Sequence, residues 1–220
     1  MFAGHIGAAL AIGTAERRVN VGWFVAAALL LDVLLWLFVL LGWESVSIPA
    51  DFPQTHQAEF VFPFSHGLLA ALLWAGMTAL AAFAALKTPR RGRAAALLAL
   101  AVFSHWGLDA LVHRPELPLA GPGSFRVGLG GWDHLTLALT LEAALVVAGL
   151  WLFMSRSTLA RRQALALVLL SLLALALTVS GMTLAPAPPS ATAMAAGSLA
   201  TLVTVCTLAV WLGRPGRVAD

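Results

Sequence analysis

The sequence predicts an all-α, polytopic integral membrane protein, and three observations predict it: the composition, the apolar runs and the distribution of basic residues. Of its 220 residues, 60% are hydrophobic and only 10% are charged, whereas soluble globular proteins carry about 25% charged residues. A chain of this length normally forms one domain. We therefore expect residues 1–220 to form a single membrane domain, in which residues 1–154 carry the polar site and residues 155–220 form two apolar scaffold helices.

The apolar runs predict six transmembrane helices and one shorter helix. A membrane-spanning helix needs about 20 mostly apolar residues. Six stretches satisfy this requirement: residues 20–42, 62–86, 94–113, 132–154, 164–184 and 191–212. A shorter apolar run at residues 2–13 precedes them. We expect it to form a short membrane-embedded helix, either a half-helix packed within the bundle or, if tilted, a seventh span.

The basic residues predict the orientation of the chain in the membrane. Eleven of the 13 Lys and Arg residues lie in alternate connections, at residues 14–20, 87–93 and 155–163 and beyond residue 212. The other two, Arg114 and Arg126, share the connection 114–131. Because short cytoplasmic loops are enriched in Lys and Arg, the first group and the C-terminus are predicted to be cytoplasmic. The same scatter argues against nucleic acid as a partner, since no basic patch is formed.

Ionisable side chains inside the membrane point to a functional site. Each costs about 2.5–3.5 kcal/mol at a helix centre on insertion scales, so such residues usually have a role. Those within the predicted spans, at their ends or in the short N-terminal run are Asp32, His66, His105, Asp109, Glu142, His113, Asp133, His134 and His5. The predicted orientation places them in the outer half of the bilayer, with His66 four residues into a helix and Asp32 near mid-membrane. His5 joins them if the N-terminal run enters from outside.

The spacing of His105, Asp109 and His113 predicts a metal site. Residues four apart lie on one face of a helix, and imidazole and carboxylate groups are common ligands of zinc and similar ions. We expect a divalent ion, with zinc preferred, held by His66, His105 and Asp109 together with His5 or His113. The alternative is a His–Asp hydrogen bond that only joins helices.

Two further carboxylates and three residues near the outer surface complete the predicted site. Asp32 or Glu142 would accept a proton from a water activated by the ion; the alternative for Glu142 is a hydrogen bond that supports a metal ligand. Arg114, Arg126 and His134 would contact an anionic headgroup, although bilayer anchoring, and helix capping for His134, are alternatives. The depth of the site favours an amphiphilic substrate, either a phospholipid or a lipid-linked phosphate. Small residues at 191–198 offer a surface for oligomerisation.

Four segments also resemble a known family. MFAGHIGAAL at the start of the chain, LLLD around Asp32, FPFSHGLL around His66 and FSHWGLDALVH around His105 resemble motifs of the bacterial membrane-bound metal-dependent hydrolases. The resemblance covers residues 1–145. Gly4-His5 replaces the T-H of the family, and a single aspartate stands where the family often has P-D-x-D. The resemblance implies a hydrolase of the bacterial inner membrane.

Three functions are compatible with these observations. The first is a metal-dependent hydrolase that acts on an amphiphile at the extracytoplasmic leaflet. The second is a metal-ion or proton transporter, because intramembrane His and Asp also mark ion pathways. The third is a non-catalytic membrane scaffold. The transporter is disfavoured because the predicted spans place no ionisable residue in the inner half of the bilayer.

The predicted orientation can be tested by labelling single cysteines. With Cys206→Ala as background, cysteines introduced at Asp51 and Arg90 should react from opposite sides of intact cells, Asp51→Cys from the outside. An impermeant maleimide provides the measurement. Labelling of both positions from outside would contradict the orientation.

Overall fold

The computed structural model describes residues 1–214, which form an all-α bundle that agrees with the predicted fold class. Within that part of the chain there are nine α-helices: α1 Ala3–Gly13, α2 Val21–Ala28, α3 Leu30–Leu41, α4 Phe52–Thr55, α5 Leu68–Ala85, α6 Arg91–Val112, α7 Leu135–Arg156, α8 Arg161–Thr183 and α9 Ala191–Leu212. Five of them, α5 to α9, are long and apolar enough to cross a membrane. Arg217 and the C-terminus, both used in the predicted orientation, lie outside the described residues.

The first predicted span is divided into two helices. Helices α2 and α3 together have the length and hydropathy of a sixth span, but their axes differ by 47°. The break falls at Leu29, within a run of alanine and leucine that contains no proline or glycine. At the break, the imidazole of His105 donates a hydrogen bond of 2.6 Å to the carbonyl oxygen of Ala28. Insertion of a side chain into the backbone ladder is a known cause of helix kinks.

Helix α1 is a half-helix packed within the bundle. Its 11 residues extend about 16 Å at 1.5 Å per residue, about half of a 30 Å hydrocarbon core. It packs against α7 at two glycines, Gly7 and Gly149. A Cβ atom at Gly7 would collide with the carbonyl oxygen of Leu145, and one at Gly149 with the carbonyl oxygen of Gly7. Small residues of this kind permit close helix packing in membranes.

The start of the second predicted span is wrong. Helix α5 begins at Leu68 rather than at residue 62, so His66 lies before the helix and not in it. The preceding turn is held by Glu44, whose carboxylate accepts hydrogen bonds from the backbone N–H groups of Phe64 and Ser65. Apolar composition alone does not distinguish such a turn from the first turn of a helix.

Two long connections form antiparallel ribbons at the end of the bundle that holds the polar residues. The first ribbon pairs β1 (Ser45–Ser47) with β2 (Glu59–Val61), and the second pairs β3 (Leu117–Pro118) with β4 (Arg126–Val127). Aromatic side chains from these connections, Phe60, Phe62 and Trp132, pack around the His113 ring. The connections therefore cover this end of the bundle and shield His113 from solvent.

Candidate metal centre

Six of the predicted site residues meet at one point between the helices. His5 comes from α1, Asp32 from α3, His66 from the turn before α5, and His105 and Asp109 from α6, with His113 directly after it. All are buried except the Asp32 side chain, which is 17% exposed. The fold thus brings together residues that are up to 108 positions apart in the chain, from His5 to His113.

Asp109 occupies the centre of the cluster. Its Oδ2 atom lies 3.1 Å from Nε2 of His105, 3.4 Å from Nε2 of His66 and 3.7 Å from Nε2 of His113. Its Oδ1 atom lies 3.1 Å from Nε2 of His5 and 2.8 Å from the amino nitrogen of Met1. The two carboxylate oxygens therefore face different groups of nitrogen atoms.

Asp32 adds a second carboxylate to the cluster. Its Oδ1 atom is 3.6 Å from Nε2 of both His66 and His105. Two overlapping sets of donors result, His5–His105–Asp109 and Asp32–His66–His105, and the donor atoms of each set lie within 4.8 Å of one another. The sequence predicts Asp32 as a proton acceptor, and its position in the structure is also suitable for a metal ligand.

Three of the histidines are oriented by acceptors on their outer side. Nδ1 of His105 lies 2.6 Å from the Ala28 carbonyl oxygen, and Nδ1 of His113 lies 3.1 Å from Oε2 of Glu116. Both partners are acceptors, so each Nδ1 carries the proton. In neutral rings with this tautomer, the unprotonated Nε2 atoms face Asp109.

His66 reaches the same tautomer through a hydroxyl group. Its Nδ1 atom lies 2.8 Å from Oγ of Ser65, and that hydroxyl donates its only proton to Oε2 of Glu44 at 2.7 Å. The hydroxyl must therefore accept from His66. Such outer partners fix the orientation and raise the basicity of histidine ligands in metal sites.

The inward geometry requires a cation. Nε2 of His66 and Nε2 of His105 are only 3.1 Å apart, and the hydrogen bonds on their outer sides leave a lone pair on each. Two lone pairs at this distance repel each other unless a proton or a metal ion lies between them. Together with the two carboxylates, the buried nitrogen atoms could hold a metal ion, and they suit one that accepts nitrogen and oxygen ligands.

Glu44 and Glu116 were not identified from the sequence. Both lie in connections outside the predicted spans, and carboxylates are common in such connections. Only the fold brings Glu116 to Nδ1 of His113 and Glu44 to the Ser65 hydroxyl that contacts His66. Burial raises the pKa of Glu44 above its ordinary value, while its hydrogen bonds with Ser65 and Phe64 act in the opposite direction. One feature of the sequence is consistent with the role of Glu44. Residues 43–61 contain no Lys or Arg, so no basic residue of its own connection can pair with its carboxylate.

Glu142 has a structural role that the sequence did not indicate. Its two carboxylate oxygens accept hydrogen bonds from the backbone N–H groups of Phe2 at 3.0 Å and Gly4 at 2.5 Å. A negative charge at this position stabilises the N-terminus of α1 through its unpaired N–H groups and dipole. Glu142 therefore fixes the helix that presents His5 to the cluster.

The residues predicted to contact a headgroup lie outside the cluster. Arg114 donates a hydrogen bond of 2.7 Å to Asp133, which raises the pKa of its guanidinium group; both side chains are nearly half exposed. Arg126 is exposed on β4, and His134 directly precedes α7. The sequence could not show that Arg114 already has a partner.

A cavity of about 520 Å³ borders the cluster. Asp32, His66, Asp109, His113 and Glu142 line one part of it, and apolar residues of α8 and α9 line the opposite part. The volume falls within the range of about 300–1,000 Å³ for small-molecule sites. The described residues thus define a multi-pass helical membrane protein with a buried His/Asp cluster beside a cavity. No protein-family model, curated protein or solved structure matches the chain.

Metal content tests the cluster. Purified wild-type protein should contain divalent transition metal, and His105→Gln and Asp109→Asn should each lose most of it. His105 belongs to both ligand sets, and Asp109 belongs to one set and lies at the centre of the cluster. Plasma mass spectrometry provides the measurement. His56→Asn is the control: His56 lies outside the cluster and has a positive φ of 52°, which asparagine tolerates. Equal metal content in all four proteins would contradict the site.

The outer hydrogen bonds can be tested separately. Ser65→Ala removes the hydroxyl group that links His66 to Glu44 and leaves every candidate metal-ligand atom in place. Loss of such a partner typically lowers metal affinity by about 10- to 100-fold. Competition with a chelator should therefore strip Ser65→Ala at lower chelator concentration than wild type. Ser104→Ala is a matched control, because the Ser104 hydroxyl bonds only to the Ala101 carbonyl oxygen of its own helix.

Proposed function

We propose that the protein is a membrane-embedded, metal-dependent hydrolase that acts on an amphiphilic substrate. One observation supports this most strongly: imidazole groups with outward Nδ1 hydrogen bonds converge through Nε2 on two carboxylates, at the wall of a largely apolar cavity. A scaffold requires neither the shared orientation of three rings nor a cavity beside them. The resemblance of residues 1–145 to membrane-bound metal-dependent hydrolases supports the same class.

We further propose that the cluster lies in the outer half of the bacterial cytoplasmic membrane, with the C-terminus inside. The excess of Lys and Arg in alternate connections supports this orientation. The cluster lies at the end of the bundle where the two ribbons and the α8–α9 connection are found, and these connections contain only two basic residues, Arg114 and Arg126.

The chemistry would be divided among the residues of the cluster. A divalent ion such as zinc supplies a Lewis acid and lowers the pKa of a coordinated water. His66, His105 and Asp109 would hold it, with His5 and His113 completing the set. Asp32 is suited to accept the proton of the attacking water because it lines the cavity and its side chain is more exposed than that of Asp109. Glu142 remains a second candidate for this role, since it lines the same cavity.

Membrane lipid would reach the site from the outer leaflet. The cavity combines a polar wall with an apolar wall, which suits a molecule that has a polar group and a hydrocarbon part. Arg114, Arg126 and His134 lie on the covering connections and would act only on the part of a headgroup that projects from the cavity.

Product release tests the hydrolase. Wild-type protein in detergent should release a product from a mixture of bacterial lipids, and Asp109→Asn should lower the rate at least about a hundredfold, because the loss of a central donor removes the ion and its water together. Mass spectrometry of the lipids provides the measurement. Asp51→Asn, an exposed carboxylate in the first ribbon connection, should retain the wild-type rate.

Two other outcomes would replace the hydrolase. If the lipids are unchanged while reconstituted vesicles accumulate zinc or protons in an Asp109-dependent manner, the protein is a transporter. If the protein is metal-free and inactive in both assays, the scaffold function applies.

A further inference from the structure

The cavity has one polar end and one apolar wall, and the wall belongs to helices that were expected to be scaffold. At the polar end are Asp32, His66, Asp109, His113 and Glu142. The apolar wall includes Leu177, Gly181, Met182, Met194, Gly197 and Leu202. Helices α8 and α9 carry no charged residue after Arg162. Their part of the cavity also includes Thr178, Ser198 and Thr201, and the Thr178 and Thr201 hydroxyl groups bond to carbonyl oxygens of their own helices. It therefore offers a mainly hydrocarbon surface and no charged partner for an ion.

The apolar wall is elongated. The lining positions on α9 extend from Ala193 to Leu202, which is about 14 Å along the helix axis at 1.5 Å per residue. Gly181 and Gly197 widen the space, since a Cβ atom added at either position would meet no atom within 4 Å. Gly197 and Thr201 are exposed, so the wall is open to the surroundings of α9. A chain can therefore enter along the helix.

The charges at the polar end restrict the group that can bind there. Asp32, Asp109 and Glu142 line the cavity, and no Lys or Arg does. The lining also includes Met1, whose amino nitrogen lies 2.8 Å from Oδ1 of Asp109. A phosphate monoester carries about −1.5 to −2 charge near neutral pH, and charges of the same sign repel strongly where water is excluded. One divalent ion and the Met1 amino group together balance the three carboxylates, so no positive charge remains at this end to offset a phosphate group. An uncharged polar group meets no such repulsion.

We propose that the substrate is an amphiphile with one hydrocarbon chain along α9 and an uncharged carboxylic ester or amide group at the Asp32–Asp109 end of the cavity. This rests on the proposed hydrolase function and narrows its substrate class. The anionic parts of a larger lipid would remain outside the cavity.

The reaction is a hydrolysis. The oxygen atom of water forms a bond to the acyl carbon, and the bond from that carbon to the ester oxygen or amide nitrogen breaks. One proton of the water passes to the leaving alcohol or amine through Asp32, which lines the cavity and whose side chain is more exposed than that of Asp109. The products are a carboxylic acid and the alcohol or amine, and no oxidant or second substrate is needed.

Matched chromogenic probes distinguish the scissile groups. Nitrophenyl butanoate, nitrophenyl octanoate and octanoyl nitroanilide are the uncharged acyl probes, and nitrophenyl phosphate and its octyl ester are the phosphate probes. We expect hydrolysis of the acyl probes only, with kcat/KM for the octanoate at least about tenfold above the butanoate, since each buried methylene favours binding. Asp109→Asn should abolish hydrolysis of all three acyl probes.

Cavity-filling variants locate the chain. Gly181→Leu and Gly197→Leu should reduce the octanoate-to-butanoate ratio of kcat/KM at least about fivefold, while metal content, which reports an intact cluster, stays within about twofold of wild type. Gly76→Leu is the matched control, because Gly76 is also a helical glycine with no atom within 4 Å of an added Cβ. It does not line the cavity and should leave the ratio unchanged.

Photocrosslinking gives a readout that is independent of activity. A fatty amide with a diazirine in its chain should attach to peptides of α8 and α9 in wild type and in Gly76→Leu, and several-fold less in Gly197→Leu. Retention of wild-type crosslinking in Gly197→Leu, or crosslinking confined to other helices, would overturn the chain position.

The outcomes separate this inference from the hydrolase itself. Hydrolysis of the phosphate probes but not of the acyl probes would overturn the acyl assignment and leave a metal-dependent hydrolase. If the acyl probes are hydrolysed but Gly181→Leu and Gly197→Leu leave the octanoate-to-butanoate ratio unchanged, only the proposed position of the hydrocarbon chain along α9 is wrong. If wild-type protein with bound metal hydrolyses none of the probes and no lipid, both proposals are wrong.

Discussion

The buried carboxylate of Asp109 is the constraint on which the rest of the site depends. An ionised group within a membrane bundle is costly, and groups from three segments surround this one: the N-terminal segment with α1, the turn before α5, and α6 with the residue after it. Nitrogen atoms of His5, His66, His105 and His113 lie 3.1–3.7 Å from its oxygens. Because the outer hydrogen bonds leave the Nε2 atoms of His66, His105 and His113 unprotonated, the charge of Asp109 is offset by the Met1 amino group at 2.8 Å and by a cation held among the rings. The positions of α1, α6 and the turn before α5 are therefore linked through one side chain.

The backbone around the cluster is shaped by its outer hydrogen bonds. The break between α2 and α3 exposes the Ala28 carbonyl oxygen to His105, and the turn before α5 places Ser65 between His66 and Glu44. Both features interrupt what would otherwise be regular apolar helices. In each case the loss of helical regularity provides an acceptor that fixes the tautomer of one imidazole ring, which is the preorganisation that a metal centre needs.

The half-helix α1 illustrates how the fold accommodates an incomplete span. Unpaired N–H groups at the N-terminus of a helix within the membrane need a partner, because no water is present to supply one. Glu142 accepts two of these hydrogen bonds, and the glycines of α1 and α7 allow the backbones to touch. The same carboxylate thus stabilises the helix end and borders the cavity, so its position serves structure whether or not it also exchanges protons.

The sequence by itself determined the all-α membrane fold, five of the six apolar spans and the grouping of His105, Asp109 and His113, because hydropathy and helical periodicity are local properties. It also singled out His5, Asp32 and His66, since ionisable residues are rare in lipid. Only the tertiary structure decided that these residues meet, that Glu44 and Glu116 stand behind two of the rings, that Glu142 caps α1 and that His66 precedes its helix. Those results depend on contacts between distant segments and on a break at Leu29, for which the residues themselves give no signal. The cavity between the cluster and α8 and α9 likewise exists only once the helices are packed.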